Sequence, residues 1–173
     1  MSSDGVPVVL FGKLPLVTTP QTEALLPEVD VIHLIESVRT AQAELPLLLS
    51  PSPSPSPSPS TTTSPQSKTI TPASQKGSNT HRPPTQQRRP LAVIVGGGFT
   101  PEEFEELRKL EGSESVPWLR ADNSLVPKSE WPPNPVYPGR AAERIKEVLR
   151  REGILGRDEA DGKMVGVGEV WFY

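Results

Sequence analysis

The sequence predicts an α/β domain: a three-layer, mostly parallel five-stranded sheet interrupted by a long disordered insert. Three observations carry this expectation. Leu91 to Leu110, LAVIVGGGFTPEEFEELRKL, reads as strand, glycine turn and capped helix in unbroken succession. Short apolar, β-rich runs alternate with helical periodicity on both sides of it, the pattern of a parallel sheet covered by helices. Between them, Ser50 to Ser60 is a strict Ser-Pro alternation, which neither a helix nor a sheet ladder accommodates.

Taken in order, residues 6 to 11, VPVVLF, form the first strand, buried on both faces. Gly12 ends it. Thr19-Pro20 reads as a helix start, because threonine caps and proline suits the first turn. That helix runs to about Leu26 and Pro27 closes it. Val29 to Ile35, VDVIHLI, is the second strand. Ser37 caps a second helix whose Val38, Ala41 and Leu45 share a face, and Pro46 ends it. Residues 49 to 89 carry almost no large apolar side chains and are expected to stay extended and solvated. A long loop adds little closure cost, roughly 0.6 kcal/mol per doubling of length. Residues 1–48 and 90–173 therefore read as two halves of one domain.

After the insert, Leu91 to Val95 is the third strand. Thr100, Pro101 and Glu103 meet the requirements of a capping box, with Phe104, Leu107 and Leu110 as the buried face and Gly112 as the stop. Val116 to Leu119 is a short fourth strand, placed near an edge by its proline. A proline-rich loop follows to Pro138. Arg140 to Arg151 is a helix with an apolar stripe of Ala141, Ile145, Val148 and Leu149. The final MVGVGEVWFY holds the last strand. Right-handed crossovers leave few topologies, and the favoured one is the flavodoxin-like order 2-1-3-4-5. Ligands in such sheets sit outside the strand carboxyl ends where the winding reverses. Here those are the turns Gly12–Thr19 and Gly96–Thr100.

Composition narrows the function classes. The net charge of −3 argues against a nucleic-acid or anionic-membrane binder. The absence of cysteine removes disulfides, thiolate catalysis and zinc ribbons, and suits a cytoplasmic protein. The opening MSSDGVPVVLFG lacks a basic signal-peptide region. His33 and His81 have no ligand spacing for a metal, and His33 reads as a packed strand residue.

Gly96, Gly97 and Gly98 stand where a dinucleotide-binding fingerprint would, with Asp122 at the end of the next strand as the ribose carboxylate. These four are the candidate cofactor residues, for NAD or NADP. Pro101 replaces the third glycine. Glu102 and Glu103 place negative charge at the helix N-terminus that a pyrophosphate would need, so a capped tight turn is the favoured reading. Lys13 in the first turn reads as solvated. Arg120, Trp131, Tyr137 and Arg140 flank one loop, with Trp131 plugging an end of the sheet. The Ser-Pro repeat offers proline-directed phosphorylation sites or a polyproline ligand, and otherwise a spacer. No catalytic constellation is complete, so catalysis is left open.

The phrases VIVGGGFTPEEFEELR and VPWLRAD resemble small Rossmann-like, NAD(P)-binding-like proteins of filamentous fungi. The resemblance implies that fold, together with an accessory role alongside biosynthetic genes. The first two strands are also similar to the flavodoxin-like half of D-2-hydroxyacid dehydrogenases, without their catalytic Arg, Glu and His. The favoured expectation is a non-catalytic accessory protein that binds a small molecule or a protein partner. The alternative is an NAD(P)-dependent oxidoreductase or a degenerate remnant of one.

Overall fold

The computed structural model describes residues 5–50, 71–155 and 165–173. Five strands, β1 (Val6–Phe11), β2 (Val29–Ile35), β3 (Ala92–Val95), β4 (Trp118–Arg120) and β5 (Val170–Phe172), form one sheet in the order 2-1-3-4-5. Every pairing in it is parallel. Among the described residues four helices cover it: α1 (Pro15–Leu25), α2 (Val38–Leu49), α3 (Pro101–Arg108) and α4 (Tyr137–Arg151). Alternation along each strand divides the core. Val8, Leu10, Ile94 and Leu119 face α1 and α4. Val9, Phe11, Val93, Val95 and Trp118 face α2 and α3. Strands buried on both faces explain the near-continuous apolar runs.

The crossovers do not all share one hand. The steps β1 to β2 and β4 to β5 run toward opposite edges of the sheet, yet their helices α1 and α4 pack together on one face. The connection through α4 therefore has the opposite hand to those through α1, α2 and α3, against the expectation of right-handed crossovers throughout. The reason lies in coverage. With α4 on the other face, α1 alone would have to cover the apolar side of five strands. The stripe Ala141, Ala142, Ile145, Val148 and Leu149 supplies the missing cover.

Helix boundaries move as well. α1 starts at Pro15, and Pro20 lies inside it instead of beginning it. α2 continues through Pro46 to Leu49. Burial of Leu45, Leu48 and Leu49 against the sheet outweighs the hydrogen bond a proline removes. α4 begins at Tyr137, three residues before the expected start. β4 is interior, flanked by β3 and β5.

Residues 51–70 of the expected insert lie outside the described residues. Residues 71–89 differ from the expectation of a solvated chain: they run along the free edge of β2. The Leu34 N–H donates to the Lys76 carbonyl (3.1 Å), and the Ser74 hydroxyl donates to the Leu34 carbonyl (2.6 Å). Gly77 passes so close, at φ 115°, that a Cβ there would fall 2.4 Å from the Ile32 carbonyl oxygen. Two 3-10 turns follow, Ser78–His81 and Pro84–Gln86. Asn79 then clamps Arg88: its amide donates to the Arg88 carbonyl (2.8 Å) and its oxygen accepts the Arg88 N–H (2.9 Å). An edge strand presents unpaired backbone groups, and a polar segment with few large side chains can satisfy them.

Candidate functional site

The carboxyl ends of β1 and β3 lie side by side, where the winding of the sheet reverses. The Gly96 N–H donates to the Phe11 carbonyl (2.9 Å), and the Gly12 N–H donates to the Ile35 carbonyl (3.0 Å). A Cβ on Gly12 would meet Thr18 Cγ2 at 2.1 Å, so glycine lets α1 approach the end of β1. α1 opens there with no side-chain cap and no acid in its first turn. Between α1, the Gly96–Gly98 turn and the loop before α4 lies a cleft of about 270 Å³. Phe11, Leu14, Val17, Trp131, Pro132, Tyr137 and Tyr173 supply its apolar and aromatic lining, and Lys13, Thr18, Gln21 and Asn123 its polar side chains.

The expected cofactor residues divide. Gly96, Gly97 and Gly98 all line the cleft, and Asp122 does not. The Asp122 carboxylate instead accepts from the Ser124 N–H (2.9 Å) and hydroxyl (2.6 Å). These bonds hold it below the usual aspartate range. The neighbouring Asn123 reaches the glycine turn: its amide donates to the Gly97 carbonyl (3.1 Å), and a Cβ on Gly97 would fall 2.2 Å from its oxygen.

The capping box on α3 forms as expected, with Thr100 accepting from the Glu103 N–H and Glu103 accepting from the Thr100 N–H. Such a cap contributes about 0.5–2 kcal/mol. Glu103 also receives Lys13, whose Nζ lies 2.7 Å from both carboxylate oxygens and 4.7 Å from the Phe99 ring centroid. Lys13 is thus paired, not solvated. Its hydrogen bond, then the Thr100 N–H, lowers the Glu103 pKa. Glu102 is lowered first by its own backbone N–H. The positive end of α3 is therefore met by carboxylates of the chain itself.

The far wall comes from Tyr137 at the start of α4 and from Tyr173, just after β5. Burial raises the Tyr137 phenol, and raises Tyr173 beyond the ordinary tyrosine range, so both stay neutral. The Tyr173 hydroxyl donates to the Val95 carbonyl (3.2 Å). Trp131 Nε1 donates to the Val126 carbonyl (3.1 Å), which sets its ring at the cleft mouth. Arg120 lies over the Phe104 ring, and Arg140 is outside the cleft lining. Sequence reasoning missed Thr18, Gln21 and Asn123. The signal existed: Thr18 and Gln21, three residues apart, put polar groups on the buried face of a helix. Starting that helix at Thr19 concealed it.

Comparison with known proteins places the chain. It is 31% identical over 161 residues to Kojic acid related protein 6 of Aspergillus oryzae (strain ATCC 42149 / RIB 40), across 90% of this chain and 84% of that protein. The chain belongs to the family of that protein. No family model and no solved structure matches it. Among the described residues no helix is long and apolar enough to cross a membrane, and no group of three or more His, Cys, Asp or Glu could hold a metal ion.

A second buried polar group lies away from the cleft. His33 is 0% exposed, and its Nε2 meets Glu44 Oε2 at 2.6 Å. Glu44 Oε1 also accepts the Ala73 N–H (2.8 Å). The carboxylate accepts, so Nε2 carries the proton, and Nδ1 has no partner. Sequence reasoning found no carboxylate near this histidine, because β2 and α2 meet only in the fold. Burial pushes the imidazole below its ordinary value, and Glu44 opposes that shift more weakly. A depressed histidine binds protons less readily in the folded than in the unfolded chain. Its contribution to stability is present above about pH 6.5 and is lost as pH falls through the folded value. Glu44→Ala should cost about 1–3 kcal/mol by stranding a buried donor and depress His33 further. NMR titration of the His33 ring in both proteins checks this, and a wild-type imidazole titrating at or above free histidine would refute it.

Proposed function

We propose that the chain is a small-molecule-binding protein that seats its ligand in this cleft and carries no catalytic machinery of its own. It acts as an accessory protein in a reducing, cytosolic compartment, a setting that its lack of cysteine suits. The observation that carries the reading is the cleft lining. It is apolar and aromatic with a few convergent polar groups, at the position where parallel sheets hold ligands. Among the described residues lining it there is no Ser, Cys, His, Asp or Glu, and its lysine, Lys13, is held by Glu103. The volume lies just under the roughly 300–1,000 Å³ of ordinary ligand pockets, a fit for a compact molecule.

The rival reading, an NAD(P)-dependent oxidoreductase or its remnant with a Rossmann-type site, is favoured by the position of Gly96–Gly98. Two contacts weigh against it. Glu103 meets the helix N-terminus that a pyrophosphate would use, and Asn123 lies against Gly97 where the cofactor backbone would pass.

Native mass spectrometry of protein purified from its own source should reveal a retained small ligand. Gly98→Trp should abolish it. A Cβ there meets nothing nearer than Lys13 Cβ at 3.9 Å, so the fold accommodates the change while the indole fills the cleft. Calorimetry with kojic acid, the compound in the relative's name, and with NADH and NADPH then separates the readings. Micromolar NADH or NADPH binding lost in Gly98→Trp would favour the oxidoreductase. A ligand retained equally by the variant would remove the cleft as its site.

A further inference from the structure

The inner end of the cleft has a feature that packing alone does not account for. Thr18 and Gln21 occupy one face of α1, directed at the sheet, where a core helix carries leucine or valine. They are 2% and 4% exposed. The Thr18 hydroxyl has no hydrogen-bond partner. Buried polar groups are ordinarily paired, so an unpaired hydroxyl on a residue that lines a cavity marks a place for a ligand atom. Gln21 acts on the Tyr173 phenol, whose proton is already committed to the Val95 carbonyl. Among the described residues lining the cleft, the Thr18 hydroxyl is the buried side-chain polar atom without a hydrogen-bond partner.

Charge selects further. Lys13 is the one charged side chain among the described residues lining the cleft. Both oxygens of Glu103 neutralise it. An anionic ligand would have to take Lys13 from a carboxylate that also closes the α3 cap. A cationic ligand finds no carboxylate in the lining. The rings of Trp131 and Tyr137 suit a flat ring, for which aromatic side chains offer offset or edge-on packing.

Resting on the cleft reading above, we infer that the ligand is an uncharged ring compound bearing a hydroxyl or carbonyl oxygen, and that the buried Thr18 hydroxyl at the inner end of the cleft binds this oxygen. Thr18 is the specificity-determining residue, and the Lys13–Glu103 pair excludes charged analogues.

Three probes of similar shape test this at pH 7: phenol, toluene and benzoate, titrated against the full chain by NMR chemical-shift mapping. Phenol should bind about tenfold more tightly than toluene, the worth of one hydrogen bond of about 1.4 kcal/mol, and benzoate should bind more weakly than phenol. Thr18→Val keeps the side-chain shape and should remove the phenol advantage while leaving toluene unchanged. Thr18→Ser should restore it, which separates a loss of recognition from a loss of packing. Benzoate binding as tightly as phenol, or a phenol advantage surviving in Thr18→Val, would overturn the ligand class and leave the cleft reading standing. Shifts from none of the three probes at cleft residues would overturn both.

Discussion

Trp118→Ala should destabilise the protein by about 3–5 kcal/mol, a large part of the roughly 5–15 kcal/mol by which a domain is stable. Trp118 is 0% exposed. Its ring stacks on Phe11 (centroids 6.3 Å apart, 27° between planes) and receives the edge contact of Phe104 (5.9 Å, 89°). The Arg108 guanidinium lies 5.4 Å from its centroid, and its Nε1 donates to the Ser113 carbonyl (2.7 Å). Truncation removes the volume, these aromatic contacts and a buried hydrogen bond together. The effect reaches the cleft, because Phe11 both packs on Trp118 and lines the site, and meets Phe99 edge-on at 5.7 Å. Urea unfolding followed by circular dichroism measures the loss. Should the alanine variant not fold, Trp118→Phe keeps a ring and should show a smaller cost of the same sign. A cost under 1 kcal/mol for Trp118→Ala would show that this cluster is not the centre of the α2–α3 side of the core.

Asp30→Ala should cost about 3 kcal/mol, the low end for breaking a buried ion pair, and should release the segment that covers β2. Asp30 accepts from the Ser78 hydroxyl (2.8 Å), Arg82 (3.4 Å) and Arg88 (3.3 Å). The Arg88 side chain is only 10% exposed, and its guanidinium also donates to the Gly5 carbonyl (2.8 Å). One carboxylate thus joins the first turn of the segment, its last residues and the start of β1. Without it, Arg82 and Arg88 each lose one anionic partner beside a protein surface that solvates them poorly. Hydrogen exchange at the Leu34 amide, which donates to Lys76, should accelerate, and trypsin should cut at Arg88, which the wild-type fold protects. Unchanged exchange and unchanged cleavage would mean that residues 71–89 are held by their backbone contacts alone.

The aspartate that holds this segment reads from the sequence only as one polar residue inside an apolar strand. Its partners lie 48 to 58 positions away in sequence. Composition showed few large apolar side chains in residues 71–89 and so led to the expectation of a solvated chain. It could not report that they can satisfy one side of a strand, since backbone hydrogen bonding needs no apolar side chains.

Local signals were legible wherever chemistry and geometry lie within a few residues. The short apolar strand runs, the Ser37 cap, the Thr100–Glu103 capping box and the 2-1-3-4-5 order could all be read from the chain, because each rests on apolar patterning, capping or chain continuity. The position of the glycine turn at 96–98, directly after β3, was legible for the same reason. Four things needed the tertiary structure. Proline signals at Pro20 and Pro46 misplaced helix ends, because packing against the sheet outweighed a lost backbone bond. Glu44 beside His33, and Lys13 on Glu103, join residues from different elements. The side taken by α4 was decided by the need to cover an apolar sheet face, and it brings Tyr137 and Tyr173 to the cleft. The sequence by itself determined the elements, their order and the end of the sheet where the Gly96–Gly98 turn lies. Which side chains meet there, and the neutral, largely apolar character of the place, were decided by long-range packing, whose partners no local pattern records.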